Sequence, residues 1–330
     1  MNPFDFRLLN DFQRDFPLCA EPYAALAAHL GSDEQTVLAT LQRLHNDGCL
    51  SRIGAVFAPR RVGASTLAAL AVPPEQLEGI ADLVSAHPEV NHNYEREHRF
   101  NLWFVVTAPD QQQLERVLSE IQRETGCELI VLPLLEEFHI DLGFDLQGRG
   151  RTQGRSRPID PADMYHPTDM ERGLMASLQA GLEFVPRPFA RLERQTGLGE
   201  HEILAMIESW LADGRIKRFG VVVRHHELGF NANAMTVWDV PEERLAEFGA
   251  RLAAEPAVTL CYRRARHLPV WSYNLYCMIH GRERAEVVGQ IKSMRYRLGL
   301  VEFPHAVLFS RQRFKQQGAR YFQCSEAANG

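Results

Sequence analysis

Residues 91–104 hold His92, His98, Arg96, Arg99, Tyr94, Phe100, Trp103 and Phe104 in one short run that ends like a β-strand. About 170 residues later, residues 260–276 repeat the mixture with Tyr262, Arg263, Arg264, Arg266, His267, Trp271, Tyr273 and Tyr276. Guanidinium groups at this density suit an anion, because their planar forks match carboxylate or phosphate oxygens. The chain as a whole carries a formal charge of -6, so an anion must be met by such local clusters rather than by the whole surface. The two stretches are therefore expected to build one anionic-ligand site.

Alternation along a strand sorts the second stretch. Over residues 273–280, Tyr273, Leu275, Cys277 and Ile279 point one way, and Asn274, Tyr276, Met278 and His280 point the other. The first set is the more apolar and belongs against the domain's own helices, which turns Tyr276 and His280 toward a partner sheet or a ligand. Between the tyrosine and the Phe/Tyr-Asn-Leu core the first copy spends five residues and the second ten, with Pro269 in the longer loop. Such a loop can serve as a lid or wall. His225, in Arg224-His225-His226, sits where a strand leaves for the next domain and is a further candidate ligand contact.

The elements that position these stretches repeat. Helices are expected at 6–16, 23–30 and 34–46, the last with Val37, Leu38, Leu41 and Leu44 on one face, a Ser32/Gln35 capping box and a stop at Gly48. A strand at 53–57 follows, and three short helices, a glycine turn and a strand describe a winged helix-turn-helix. The order returns at a constant offset of 166 residues, with Pro22, Val37, Asp47, Gly48, Arg52 and Gly54 matching Pro188, Ile203, Asp213, Gly214, Arg218 and Gly220. Each unit leads into a β-α-β-β-α-β pattern, with strands expected at 65–72, 90–94, 100–107 and 128–133, then at 231–238, 258–262, 271–279 and 300–304. The expected class is α+β, a tandem repeat of winged helix-turn-helix plus ferredoxin-like domains. The boundaries are 1–63, 64–146, a linker at 147–162, 163–229, 230–315 and a polar tail at 316–330.

Six cysteines without C-x-x-C spacing argue against a structural zinc site, a cysteine-ligated iron–sulfur cluster or a disulfide framework. No apolar run reaches membrane-spanning length and the N-terminus lacks a signal pattern, so a cytoplasmic protein with no membrane partner is expected.

A winged unit followed by an open βαββαβ domain resembles the Lrp/AsnC superfamily, carried by Ala27-Ala28-His29-Leu30-Gly31, Asp47-Gly48-Cys49-Leu50 and residues 52–57. Within it, Tyr94-Glu95-Arg96 leading to residues 100–104, and Cys261-Tyr262-Arg263-Arg264 leading to residues 271–281, look like the sirohaem decarboxylases of haem d-one biosynthesis, in the form that joins two halves in one polypeptide. In DNA-binding members the third helix carries adjacent arginines. Here Ala39 and Thr40, and Ala205 and Met206, stand at those places, which speaks against DNA as a partner.

The resemblance implies a substrate, sirohaem, that brings its own iron and eight carboxylates, and a pseudo-dimer of the two halves through their sheets. It implies Arg96, Arg99, Arg263, Arg264 and Arg266 as carboxylate forks, and Trp103, Phe104, Trp271, Tyr273 and Tyr276 as walls for the macrocycle, joined by His225 and His280. His98 and His267, assisted by Tyr94 and Tyr262, become the proton donors, or axial contacts to the substrate iron. No cofactor is required and no metal is bound by protein alone. Partners would be a second copy or paralogous decarboxylase subunits. The rival function is an Lrp-type ligand-responsive transcription regulator.

Overall fold

Pro22 and Pro188 open equivalent helices in the two halves, each at the first helical position where a missing N–H costs nothing. The computed structural model describes residues 2–58, 61–140, 165–223 and 232–322. In chain order the first half runs α1 (Pro3–Asn10), α2 (Pro22–Leu30), α3 (Glu34–Asn46), β1 (Leu50–Phe57), β2 (Ala64–Ala71), α4 (Leu77–Ala86), β3 (Val90–Arg96), β4 (Leu102–Ala108), α5 (Gln111–Thr125) and β5 (Glu128–Ile140). The second runs α6 (Asp169–Ala180), α7 (Pro188–Thr196), α8 (Glu200–Ala212), β6 (Ile216–Val223), β7 (Ala232–Trp238), α9 (Leu245–Ala253), β8 (Val258–Arg264), β9 (Leu275–Gly281), α10 (Arg284–Leu298) and β10 (His305–Gln316).

The two winged units share one core, in which Leu8, Val37 and Leu41 from the first half meet Ile203, Trp210 and Phe219 from the second. Their wing strands β1 and β6 pair antiparallel, with Gly54 opposite Gly220. A Cβ at Gly54 would lie 2.6 Å from the Leu178 carbonyl oxygen, and one at Gly220 2.3 Å from that of Phe12, so both glycines let a neighbouring segment close onto the ribbon. Asp33, one residue past the expected cap, caps α3 by accepting the Thr36 N–H at 2.8 Å. The first helix stops at Asn10 rather than 16, because Phe12 and Phe16 bury in the shared core and Asp15 bridges to Phe219.

The ferredoxin-like halves close on each other as an eight-stranded barrel in the order β10-β3-β4-β2-β5-β8-β9-β7. The fourth strand of each half pairs with the second strand of the other, β5 with β8 and β10 with β3, which leaves no free edge. Closure is what joins the halves as an intrachain pseudo-dimer. Helices pack outside against separate cores, Leu102, Phe104 and Val106 lying under α5 in the first half and Leu275, Cys277 and Ile279 under α10 in the second. The alternate residues enter the lumen.

The last strand lies at His305–Gln316, beyond the expected 300–304, where a 3-10 turn stands instead. The chain after it is likewise more than a polar tail, since Tyr321 and Phe322 bury in the winged-unit core.

The asparagine of each Phe/Tyr-Asn-Leu core is a structural clamp. Asn101 accepts the Val72 N–H and donates to the Val72 carbonyl, both at 2.9 Å, and Asn274 brackets Val240 at 3.0 and 2.8 Å. Each ties the exit of the first strand to the entrance of the third. Asn274 is buried, so Asn274→Ala leaves a buried N–H unpaired and is expected to cost about 2–3 kcal/mol. The midpoint of urea unfolding measures it.

Candidate functional site

On β3 the lumen-facing set is His92, Tyr94 and Arg96, since Asn93 turns outward to donate to the Ala81 carbonyl of α4. On β8 it is Leu260, Tyr262 and Arg264, since Cys261 turns outward into the helical core. On β9, Tyr276, Met278 and His280 face in, as alternation requires. The lumen is not uniformly filled. Around Trp103, Phe100, Trp271 and Tyr276 it is a dry aromatic plug, whereas His92, Tyr94, Leu260, Tyr262, Met278 and His280 keep partial exposure although they lie inside a closed barrel. Side chains of that kind line an internal space.

Two tyrosine–arginine pairs face this space, related by the repeat. Arg96 donates from Nη1 to the Leu308 carbonyl at 3.1 Å, and Arg264 to the Leu132 carbonyl at 2.9 Å, each reaching the fourth strand of the opposite half. The Arg96 guanidinium lies 5.9 Å from the Tyr94 ring centroid, and Arg264 lies 5.0 Å from that of Tyr262. Burial pulls the Arg96 guanidinium down to about 10, partly offset by Tyr94 and Tyr262, and lowers that of Arg264. Among the described residues no carboxylate forms an ion pair with either. Burial also raises both phenols, Tyr262 to about 12, so they stay protonated at neutral pH.

The strand register adds three lumen residues that the sequence reading passed over as site candidates. His92 precedes Tyr94 by two on the same face, and applying alternation to β3 as to β9 would have found it. Glu137 pairs with Tyr262, and Arg313 with Tyr94, across the two seams between the halves. Those contacts are long-range and had no local signal. Burial holds the His92 imidazole down to about 4, so it is neutral at pH 7. Because the folded value lies below that of an unfolded chain, its contribution to stability is present above about pH 6.5 and is lost as pH falls toward 4. His92→Gln is expected to flatten the loss of stability between those limits, read as denaturation midpoints across pH.

The other expected site residues fall elsewhere. His98 and His267 meet around Trp271 at the plugged end: the His98 ring packs edge-on at 5.1 Å, and His267 exchanges both backbone hydrogen bonds with Trp271 at 2.8 Å. The Nδ1 of His98 accepts the Phe100 N–H at 3.1 Å, and burial lowers its pKa, with Arg99 adding to the effect. Trp103, Trp271, Tyr273 and Tyr276 do come together, but Trp271 and Trp103 are 1% and 2% exposed and Tyr276 is fully buried. These three are packing, held by a 2.6 Å bond from Trp271 Nε1 to the Tyr276 hydroxyl, rather than a free wall. Phe104 packs under the helices. Arg263 and Arg266 are engaged by Glu242, Arg266 also by Asp239 at 2.7 Å and the Ser272 carbonyl, which pins the longer loop. Arg99 is exposed and paired with Glu128. His225 and the linker lie outside the described residues. In the winged units Arg43 pairs with Asp5 and Asp47, and Lys217 with Glu137.

A pocket of about 300 Å³ opens beside the end of β3, lined by Arg96, His98, Asn101 and Arg311 together with Glu95 and Glu97. Arg311 already pairs with both glutamates, at 3.6 and 3.5 Å, so this pocket is charge-balanced where the lumen is not.

Residues 61–139 and 227–315 match the AsnC-like ligand binding domain, and residues 5–50 match the siroheme decarboxylase NirDL-like HTH domain. The siroheme decarboxylase NirDL subunit of Paracoccus denitrificans is 46% identical over 97% of each chain. The siroheme decarboxylase of Hydrogenobacter thermophilus is 32% identical over 97% of this chain and 95% of its own. The NirD subunit of Pseudomonas aeruginosa, 53% identical, spans 44% of this chain and 98% of its own. The crystal structure of the siroheme decarboxylase NirDL in co-complex with an iron-uroporphyrin III analogue superposes with a TM-score of 0.70 at 28% identity, covering 97% of this chain and 94% of that one.

Proposed function

The chain belongs to the siroheme decarboxylase NirDL family, and we propose that it removes the carboxyl groups of two acetate side chains of sirohaem, giving 12,18-didecarboxysirohaem on the route to haem d-one. It is then a carbon–carbon lyase whose substrate brings the iron. The observation that carries this reading is the buried Arg96 guanidinium, turned into an internal space with a carbonyl and no carboxylate as its partner among the described residues. A desolvated, uncompensated charge is costly to fold, and a ligand carboxylate is what compensates it.

Breaking the bond between the acetate methylene and its carboxyl releases carbon dioxide and leaves an electron pair. The tetrapyrrole takes that pair once a ring carbon is protonated, so no organic cofactor is needed. The exocyclic alkene so formed is protonated to methyl as the ring proton departs, and one proton is consumed for each carbon dioxide released. Arg96 orients a substrate carboxylate, and Arg264 faces the same space from the opposite half. Tyr94 and Tyr262, protonated at neutral pH, donate hydrogen bonds into the same space, and neutral His92 together with His280, whose Nδ1 lies 2.9 Å from the Thr259 hydroxyl, relays protons there. His98 and His267 support the floor through Trp271, and His98 also borders the pocket beside β3.

Anaerobic incubation with sirohaem tests the reading: mass spectrometry should show loss of two carboxyl groups. Binding without release of carbon dioxide would make the chain an assembly partner, and shift of operator DNA with no turnover would make it a regulator.

A further inference from the structure

The repeat relates the two lumen poles closely enough that their difference in charge stands out. Tyr94 and Arg96 on β3 correspond to Tyr262 and Arg264 on β8, and each tyrosine has a ladder partner on the fourth strand of the other half. At the first pole that partner is Arg313, and at the second it is Glu137. Ladder partners project to the same side of a sheet, so both lie on the lumen side with their tyrosines. Arg313 also donates to Gln316 Oε1 at 3.1 Å.

Glu137 is fixed from outside the barrel. Its Oε2 meets Lys217 of the wing strand β6, while its Oε1 is buried with no hydrogen-bond partner among the described residues. The carboxylate acts electrostatically on Tyr262 and Arg264. Its counterpart Arg313 acts with the opposite sign on Tyr94.

We propose that the lumen is polarised: the Tyr94–Arg96–Arg313 pole accepts substrate carboxylates, while at the Tyr262–Arg264 pole Glu137 stands where a substrate carboxylate would otherwise sit. This deepens the proposed function and rests on it. A polycarboxylate tetrapyrrole then enters in one orientation, with its most anionic edge toward β3, and Glu137 is a specificity-determining residue that turns a two-fold barrel into a one-way site. Lys217 couples that choice to the winged units.

The test uses the full chain and iron uroporphyrin, titrated by the change in its absorption spectrum at several salt concentrations. Arg313→Gln is expected to weaken binding by about tenfold or more and to flatten its salt dependence, with Arg313→Lys recovering part of the loss. Glu137→Gln is expected to tighten binding several-fold, because repulsion at the second pole is removed. Lys217→Met breaks the same bridge while leaving the glutamate charge in place, and should weaken binding, which separates charge from any loosening of the fold. Shifts of the same sign for Arg313→Gln and Glu137→Gln, or no shift in either, overturn the polarity while leaving decarboxylation intact. Failure of the unaltered chain both to bind and to turn over sirohaem overturns the polarity together with the function it rests on.

Discussion

Arg96→Met is expected to lower kcat/KM for sirohaem by at least about a hundredfold while leaving the fold as stable as before, or more so. Two physical effects of opposite sign meet at this residue. For the ligand, a guanidinium–carboxylate pair in a space shielded from water is a charge-assisted, bidentate contact, and such hydrogen bonds are worth about 1.5–3 kcal/mol each. For the folded chain, the same guanidinium is a buried charge without a counter-ion among the described residues, and burial has already pulled it down to about 10. Replacing a poorly compensated buried charge by an apolar side chain of similar length is often neutral or stabilising, against roughly 1 kcal/mol for the lost bond to the Leu308 carbonyl. Lysine should not restore activity, because an ammonium cannot reproduce the fork. Steady-state kinetics together with urea midpoints read both effects. A variant that loses stability and activity in proportion would make Arg96 a structural residue.

Trp271→Ala is expected to produce the largest loss of stability of any single change discussed for this chain, about 3–5 kcal/mol. The indole is 1% exposed and touches His98, Phe100, Trp103 and Tyr273 with ring centroids 4.9–6.1 Å apart. It also donates to the Tyr276 hydroxyl. Its removal opens a cavity at the plugged end and leaves that hydroxyl with only its 3.4 Å bond to the Tyr273 carbonyl, so the loss combines a packing term with a buried polar term. Trp271 joins the halves, since it comes from the longer second-half loop and packs on first-half aromatics. Denaturant unfolding followed by tryptophan fluorescence measures the loss. Trp271→Phe should recover most of the packing term and none of the hydrogen bond.

The repeat at offset 166 and the period-two pattern of β9 made the architecture legible, down to the inward direction of Tyr276 and His280. Arg263 and Arg264 show why the site was harder. They are neighbours in sequence, but Arg263 points out to Glu242 and Arg264 turns in to the Leu132 carbonyl. Their composition is the same, and only the strand face separates a loop anchor from a lumen charge. Trp271 looked like a ligand wall because aromatic content does not distinguish a plug from a lining. Glu137 and Arg313 entered the site through ladders between halves, contacts that a single sequence does not mark. The last strand was expected at 300–304 and stands at His305–Gln316, where its lysine, arginines and glutamines hide the period-two pattern although Arg313 pairs with Tyr94 across the seam with β3.

A crystal structure of this chain with iron uroporphyrin bound tests the central claim most directly. The lumen account predicts the macrocycle inside the barrel between Tyr94 and Tyr262, with one carboxylate on the Arg96 guanidinium. A macrocycle seated on the outer surface, with Arg99, Arg263 or Arg266 released from their glutamates to hold its carboxylates, would contradict it.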